Sequence, residues 1–341
     1  ADARRTGHSK TRGAEPHAHT PAPRRFLEGH AVFSRLDTHY HFDFIDEGER
    51  LPFLRACTKR GLRLVAQTLL PSYFHENLEW AANARRDAGA NLGAGGDEGA
   101  EVHWPAWSLG LHPWYIEEAH IGEELKLFGS GLEKTRLIGE VGLDFAPRRL
   151  EAVPAQLQVE VFSEVVTMSC EAALRGGVHG GQAQKSSPLP HVLSIHAVRA
   201  ASTVLDLLEG SDALGRGLVP VFHRFSGTSD DLTRLIRMGG YISINPAMLT
   251  SKRGRAYIRQ VPEERLLVET DLPAAPAASK EGEGEVKSGE RHCEELDETL
   301  NRILTSVEEL RKEDPREVLD KTQARLYGGF EGSSASSLVR V

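Results

Sequence analysis

Eight short apolar runs, each separated from the next by a stretch of helical periodicity, fill the middle of this sequence. They lie at Arg35–Thr38, Leu62–Leu69, Trp107–Leu111, Arg136–Val141, His191–Ile195, Leu218–Phe222, Tyr241–Ile244 and Arg265–Val268. Helical patterns cover Gly48–Lys59, Glu76–Ala88, Glu117–Leu132, Val153–Leu174, Arg199–Leu208, Ser229–Met238 and Ser251–Gln260, then His292–Leu310 and Pro315–Leu326. In the last of these Asp314 is expected to cap and Pro315 to sit in the first turn. Strands alternating with helices imply crossovers and parallel pairing, and eight such units predict an α/β fold of the (β/α)8 TIM-barrel type. A doubly wound open sheet is the competitor, but no glycine-rich phosphate-binding turn follows the first strand.

A chain of 341 residues with 40% hydrophobic content can bury such a core as a single domain, expected over residues 35–330. Residues 1–34 scatter Arg and Lys among Gly, Pro, Thr and Ala without apolar periodicity and read as a disordered basic tail. Residues 331–341 read as a flexible C-terminal tail. Loop insertions are expected near 89–101, 176–190 and 274–291. Of these, the third leaves a strand end and would border the mouth of the barrel.

The net charge of −8 disfavours a protein that coats nucleic acid through a basic surface, yet leaves room for a cleft in which dications supply positive charge. Cys57, Cys170 and Cys293 have no paired spacing, so a reducing, cytoplasmic setting is expected. No run is long enough for a membrane span, and no stable protein partner is implied.

Metal-binding side chains recur where the apolar runs stop. His39 and His41 end the first, Glu140 lies between two glycines at the end of the fourth, and His196 and His223 end the fifth and sixth. Asp271 closes the eighth. In a barrel, residues at strand C-termini converge on one mouth, so these six predict a site for two divalent metal ions, Mg, Mn or Zn. His39, His41 and Asp271 would hold one ion and His196 and His223 the other, with the two oxygens of Glu140 bridging them. His112 and Trp114, after the third strand, face the same mouth; Trp114 is a candidate to stack on a base. Arg199 and Arg224 are candidates for phosphate contact, and Lys252 and Arg253 for holding a nucleic-acid backbone.

The motifs Asp37-Thr38-His39-Tyr40-His41-Phe42-Asp43, Gly110-Leu111-His112-Pro113-Trp114, Gly139-Glu140-Val141-Gly142-Leu143-Asp144, His196, His223-Arg224-Phe225-Ser226-Gly227 and Glu269-Thr270-Asp271-Leu272-Pro273 occur in this order. Together they resemble the TatD-type metal-dependent deoxyribonucleases, from about Leu36 to Phe330. The resemblance implies a metallo-dependent hydrolase barrel, a dinuclear site and hydrolysis of phosphodiester bonds in DNA, often trimming single strands from an exposed end. It gives the ligand roles to His39, His41, Glu140, His196, His223 and Asp271. Arg224 stands where the family often has Cys, and Val198 where many members have Arg.

The expected chemistry is attack by a hydroxide bridging the two metals, with Asp271 as general base and Glu140 holding the metals. An amidohydrolase or phosphotriesterase-like hydrolase of a small ester, lactone or amide is the alternative enzyme; such relatives commonly bridge their metals with a modified lysine where Glu140 stands here. The non-enzyme alternative is a catalytically inactive metal-binding barrel.

Overall fold

The computed structural model describes residues 35–90, 102–178, 189–275 and 286–328. The two tails, and the middles of the three expected insertions, lie outside the described residues.

Eight strands form one sheet in sequential order, every neighbouring pair parallel. They are β1 (Leu36–Tyr40), β2 (Arg63–Gln67), β3 (Ala106–Leu111), β4 (Leu137–Asp144), β5 (His191–Val198), β6 (Leu218–His223), β7 (Tyr241–Ile244) and β8 (Leu266–Val268). The ring closes between the ends of β1 and β8. There Asp271 N donates to His39 O (3.1 Å), His41 N donates to Leu272 O (2.7 Å), and the Thr38 hydroxyl donates to Val268 O (2.9 Å). Crossovers are made by α1 (Glu47–Lys59), α2 (Pro71–Ala90), α3 (Ile121–Gly131), α4 (Pro147–Ala152), α5 (Ala155–Val178), α6 (Ala201–Gly210), α7 (Ser229–Met238), α8 (Pro246–Thr250) and α9 (Lys252–Gln260). Two more, α10 (Gly289–Arg311) and α11 (Arg316–Tyr327), follow β8 among the described residues. No helix among the described residues is long and apolar enough to cross a membrane.

The barrel interior changes character along its axis. One apolar residue from each strand, Leu36, Val65, Ala106, Leu137, Val192, Val221, Tyr241 and Leu267, clusters with Leu326 and Tyr327 of α11. Above this lie small polar groups: Thr38 and Ser243 share a hydrogen bond of 2.9 Å, and the Gln67 amide donates to Thr38 O (3.0 Å). Outside the strands, a second cluster including Phe53, Phe128, Phe162, Val204, Ile258 and Ile303 seals the helices to the sheet. The filled lower barrel leaves its upper end for chemistry.

Local chemistry explains where the expected boundaries move. Thr228 and Asp231 make a reciprocal capping box that starts α7. The sixth crossover helix begins at Ala201, not Arg199, because Arg199 adopts a left-handed backbone with φ 55° that a helix cannot include. The final helix begins at Arg316 with Pro315 at its N-cap position, and Asp314 accepts from Arg316 N. Two short helices, α4 and α8, were not expected; each opens with Pro in its first turn, and Asn245 caps α8 by accepting from Ala247 N.

The lower rim carries one titratable test. Arg136 donates to Leu326 O and Tyr327 O (both 2.7 Å) and to Pro190 O (2.9 Å), tying α11 beneath β4 and β5. Burial, with the Arg136 charge behind it, pushes the neighbouring His191 imidazole down to about 4. In the unfolded chain this ring takes a proton near 6.5, so the unfolded state binds more protons between the two values. His191 therefore contributes stability that is complete above 6.5 and is lost as pH falls toward 4. Thermal denaturation at pH about 7.5 and about 5 should show a smaller loss of Tm in His191→Gln than in the unsubstituted protein.

Candidate metal centre

Glu140 stands at the centre of the upper end, 2% exposed. Its two oxygens face different groups. Oε2 lies 3.3 Å from His39 Nε2 and 3.6 Å from His41 Nε2. Oε1 lies 2.7 Å from His196 Nδ1, 3.0 Å from His223 Nε2 and 3.3 Å from His112 Nε2. Asp271 joins the first side, with Oδ1 3.1 Å from His41 Nε2 and 3.8 Å from His39 Nε2. All six residues expected from the sequence thus meet at one place, and His112 is with them.

Irregular backbone delivers these groups. The β1–β2 register shifts between Asp37 and Tyr40, and the β4–β5 register shifts between Ile138 and Val141, the segments that carry His39 and Glu140. Such irregularities re-aim side chains that a regular strand would direct elsewhere. Close approach sets the glycines beside Glu140. A Cβ on Gly142 (φ 143°) would sit 2.0 Å from His196 O, and one on Gly139 (φ 152°) would sit 2.6 Å from the Ser194 Cβ. Asp271 itself has φ 61°, a strained backbone for a residue with a side chain, held by the hydrogen bonds that close the barrel.

Asp37 does not join its strand-mates His39 and His41 at Glu140. Fully buried, it accepts from His39 N (2.9 Å), from Thr270 N (3.1 Å) and from the Thr270 hydroxyl. It therefore clamps β1 to the segment bearing Asp271.

The outer nitrogens of the histidines separate their roles. His196 presents Nε2 to Asp144 Oδ2 at 3.1 Å, leaving Nδ1 toward Glu140. His223 presents Nδ1 to Glu269 Oε1 at 3.4 Å, leaving Nε2 inward. Glu269 also accepts from Arg224 N (3.0 Å). A carboxylate behind an imidazole fixes the tautomer whose inner nitrogen carries a lone pair, as metal-ligating histidines require. His39 Nε2, fully buried, has no hydrogen-bond partner although it points into the cluster. His112 is built the other way. Its Nδ1 accepts from Trp114 N (3.1 Å), so its Nε2 carries the proton and faces Glu140 as a donor. Distance alone groups His112 with Glu140 and His196 as possible ligands, but this tautomer argues for a hydrogen-bonding role.

The electrostatics suit cations. Burial works to raise the Glu140 carboxyl, but His112, His223 and His39 around it prevail and hold it well below the usual range. Burial likewise opposes the shift at Asp271, yet the His41 hydrogen bond and the neighbouring imidazoles keep it ionised. His223 is raised despite burial, by Glu140 and Glu269, and burial pushes His112 down to about 4. Two groups of side chains can each surround an ion: His39, His41 and Asp271, and His39, Glu140 and His223.

The remaining expected residues lie around the rim. Arg199 and Arg224 follow β5 and β6, both exposed and both with left-handed backbones (φ 55° and 45°). Lys252 and Arg253 open α9, with Arg253 donating to Ser226 O (2.9 Å). Trp114 is 37% exposed, its indole N–H donating to Asp144 Oδ2 (2.6 Å), and Arg149 lies 3.4 Å over its ring. The sequence reading gives Asp144 and Arg149 no task; their signals were an Asp closing the fourth-strand motif and a Pro-Arg-Arg run just after it.

A parallel eight-stranded barrel whose mouth gathers imidazoles and carboxylates is a metallo-dependent hydrolase type of architecture. The chain belongs to the TatD related DNase family, whose model matches residues 36–327. Among curated proteins, it is 28% identical over 153 residues to a protein named deoxyribonuclease Tat-D from Schizosaccharomyces pombe. It is 29% identical over 174 residues to one named 3'-5' ssDNA/RNA exonuclease TatD from Dickeya dadantii. These matches span 44% and 49% of this chain, and only 42% and 56% of those proteins' own lengths. Among solved structures, YJJV, a TatD homolog from Escherichia coli, superposes with a TM-score of 0.60 at 21% identity, covering 86% of this chain and 98% of that one. That likeness is one of fold.

Gly142 supplies a test of the close approach at this site. Gly142→Ala must push β4 from β5 beside His196, and the urea midpoint should fall by the equivalent of about 1–3 kcal/mol.

Proposed function

We propose that this protein is a metal-dependent phosphodiesterase acting on nucleic acid, with DNA presenting a single-stranded or exposed end as its substrate. The observation that carries this reading is the division of Glu140: one oxygen toward His39 and His41, the other toward His196 and His223. That arrangement suits a carboxylate shared between two divalent ions, Mg, Mn or Zn. His39, His41 and Asp271 would hold one, His196 and His223 the other. The orphaned His39 Nε2 and the carboxylates behind His196 and His223 support the fit. When bound, two such ions lower the pKa of a shared water and neutralise charge on a phosphate's non-bridging oxygens.

The chain's own residues supply the rest. Asp271 is ionised and held at the mouth by His41, placed to accept the proton of an attacking water. His112, neutral with its proton on Nε2, is placed to donate to a phosphoryl or leaving oxygen as charge develops there. Arg199, Arg224 and Lys252 have no protein partner for their side-chain charges among the described residues and ring the mouth as contacts for neighbouring phosphates. The names of the Schizosaccharomyces and Dickeya relatives support DNA, or single strands of either nucleic acid, as the polymer.

Labelled single-stranded DNA, duplex DNA, RNA and a lactone panel, each with Mg or Mn, test the reading. Turnover should favour single-stranded DNA, require the dication and fall by roughly three orders of magnitude or more in Asp271→Asn, whose circular dichroism stays native. Full turnover in that variant would remove the base role, and hydrolysis of lactones alone would replace the substrate. Asp144→Asn frees the outer nitrogen of His196 from its carboxylate. By calorimetry, Mn affinity should drop by about 10- to 100-fold, and unchanged affinity would show that His196 needs no such support.

A further inference from the structure

Trp114 is a large aromatic exposed at the mouth, and a bare indole there invites a base to stack on it. One face of this indole is already occupied. The guanidinium carbon of Arg149, from the short helix α4, lies 3.4 Å from the ring centroid, in close contact. Arg149 is part-buried, and among the described residues its guanidinium makes no hydrogen bond or ion pair with protein. A cation held flat on an aromatic ring keeps all its N–H donors for another acceptor.

The seat under this cation is itself fixed to the metal centre. The Trp114 N–H donates to Asp144 Oδ2 (2.6 Å), and the same oxygen lies 3.1 Å from His196 Nε2. Asp144 is buried, and its two oxygens are held by His196, Trp114 and Ala146 N, which fixes it as the anchor. Ala146 N donates to Asp144 Oδ1 (2.8 Å), so the turn leading into α4 is tied to the same carboxylate. His112 packs edge-on to the indole with centroids 5.0 Å apart. The Arg149 guanidinium is therefore connected to the candidate metal centre by a continuous chain of short side-chain contacts: Arg149, Trp114, Asp144, His196, Glu140. Among the described residues, the exposed side-chain charges of Arg199, Arg224 and Lys252 have no such seat.

We propose that Arg149, seated on Trp114, is a phosphate-binding residue of the substrate strand, gripping an internucleotide phosphate next to the one being cleaved. This rests on the nuclease reading above and deepens it by assigning how the polymer is held. Trp114 acts as the seat that positions the guanidinium. The ligand chemistry is a phosphodiester monoanion, for which a planar guanidinium offers paired N–H donors.

The test measures binding and turnover separately, on the full-length protein with Mn. Binding of a fluorescent single-stranded oligonucleotide is followed by anisotropy across a range of KCl, and turnover is followed on that oligonucleotide and on bis(p-nitrophenyl) phosphate, which has a single phosphate. Arg149→Ala should weaken oligonucleotide binding by about tenfold, the scale of a charged hydrogen bond. It should also flatten the salt dependence of log K by about 0.7, the change for one phosphate contact on a single strand. Its KM should rise much more for the oligonucleotide than for the one-phosphate diester. Arg149→Lys should recover only part of the loss, since an ammonium does not stack flat, and Trp114→Ala should weaken oligonucleotide binding in the same direction.

Unaltered oligonucleotide binding and salt slope in Arg149→Ala would overturn the proposal, as would equal KM changes on the two substrates. Full displacement of the oligonucleotide by inorganic phosphate, below the concentration of the supporting salt, would overturn the assignment to the strand. If the unsubstituted protein binds the oligonucleotide through Arg149 but cleaves neither substrate, the nuclease reading fails and only the strand-holding role of Arg149 stands.

Discussion

A single buried carboxylate organises this molecule. Glu140 sits where the low-dielectric interior penalises charge, so it remains ionised only because imidazoles from β1, β5, β6 and the turn after β3 surround it. The dependence runs both ways: in spite of burial, His196 is raised by Asp144 and Glu140, and His223 by Glu140 and Glu269. Removing the carboxylate would leave several buried nitrogens facing one another, including the 3.2 Å approach of His196 Nδ1 to His223 Nε2. A cluster of lone pairs and charges held this closely is stable as protein alone only through shared protons, and divalent cations offer the same nitrogens and oxygens better partners.

The barrel makes that concentration of polar groups tolerable. Its lower interior is filled by one largely apolar side chain per strand and plugged by Leu326 and Tyr327, which supplies burial without charged groups. The short hydrogen-bonded layer of Thr38, Gln67 and Ser243 then grades into the charged mouth. Closure between β1 and β8 is made by the backbone of His39, His41, Asp271 and Leu272, so the seam of the barrel and the site are one set of residues. The strained φ of Asp271 is maintained by that seam, and Asp37 clamps it from below through Thr270.

The parts legible from sequence were those that depend on period and position. Apolar runs gave the strands and their parallel order, and a metal-binding residue at the end of each relevant run gave the convergence of His39, His41, Glu140, His196, His223 and Asp271. What could not be read depended on local backbone irregularity. Strict alternation puts Asp37 on the face of His39 and His41, yet the register shift before Tyr40 separates them. The extent of β4 and β5, which run on to Asp144 and Val198, decides that Asp144 can reach His196, and neither apolar run shows that extension. Tautomers are equally invisible in sequence. His112 differs from its neighbours only because Trp114 N, two residues on, turns back to its Nδ1.

This difference gives one mouth two kinds of imidazole, one suited to a cation and one suited to an anion. His196 and His223 have carboxylates behind them, which favour an inward lone pair and strengthen it as a donor to a cation. His112 has a backbone N–H behind it, which favours an inward proton and a group that gives hydrogen bonds to anions. Asp144 lies on the border between the two sets, accepting from the His196 ring on one side and the Trp114 ring on the other. Because one carboxylate serves both, a shift of Trp114 under load from its guanidinium would be felt at His196. The fold thereby ties the Trp114 indole to the His196 imidazole through two hydrogen bonds to one buried carboxylate.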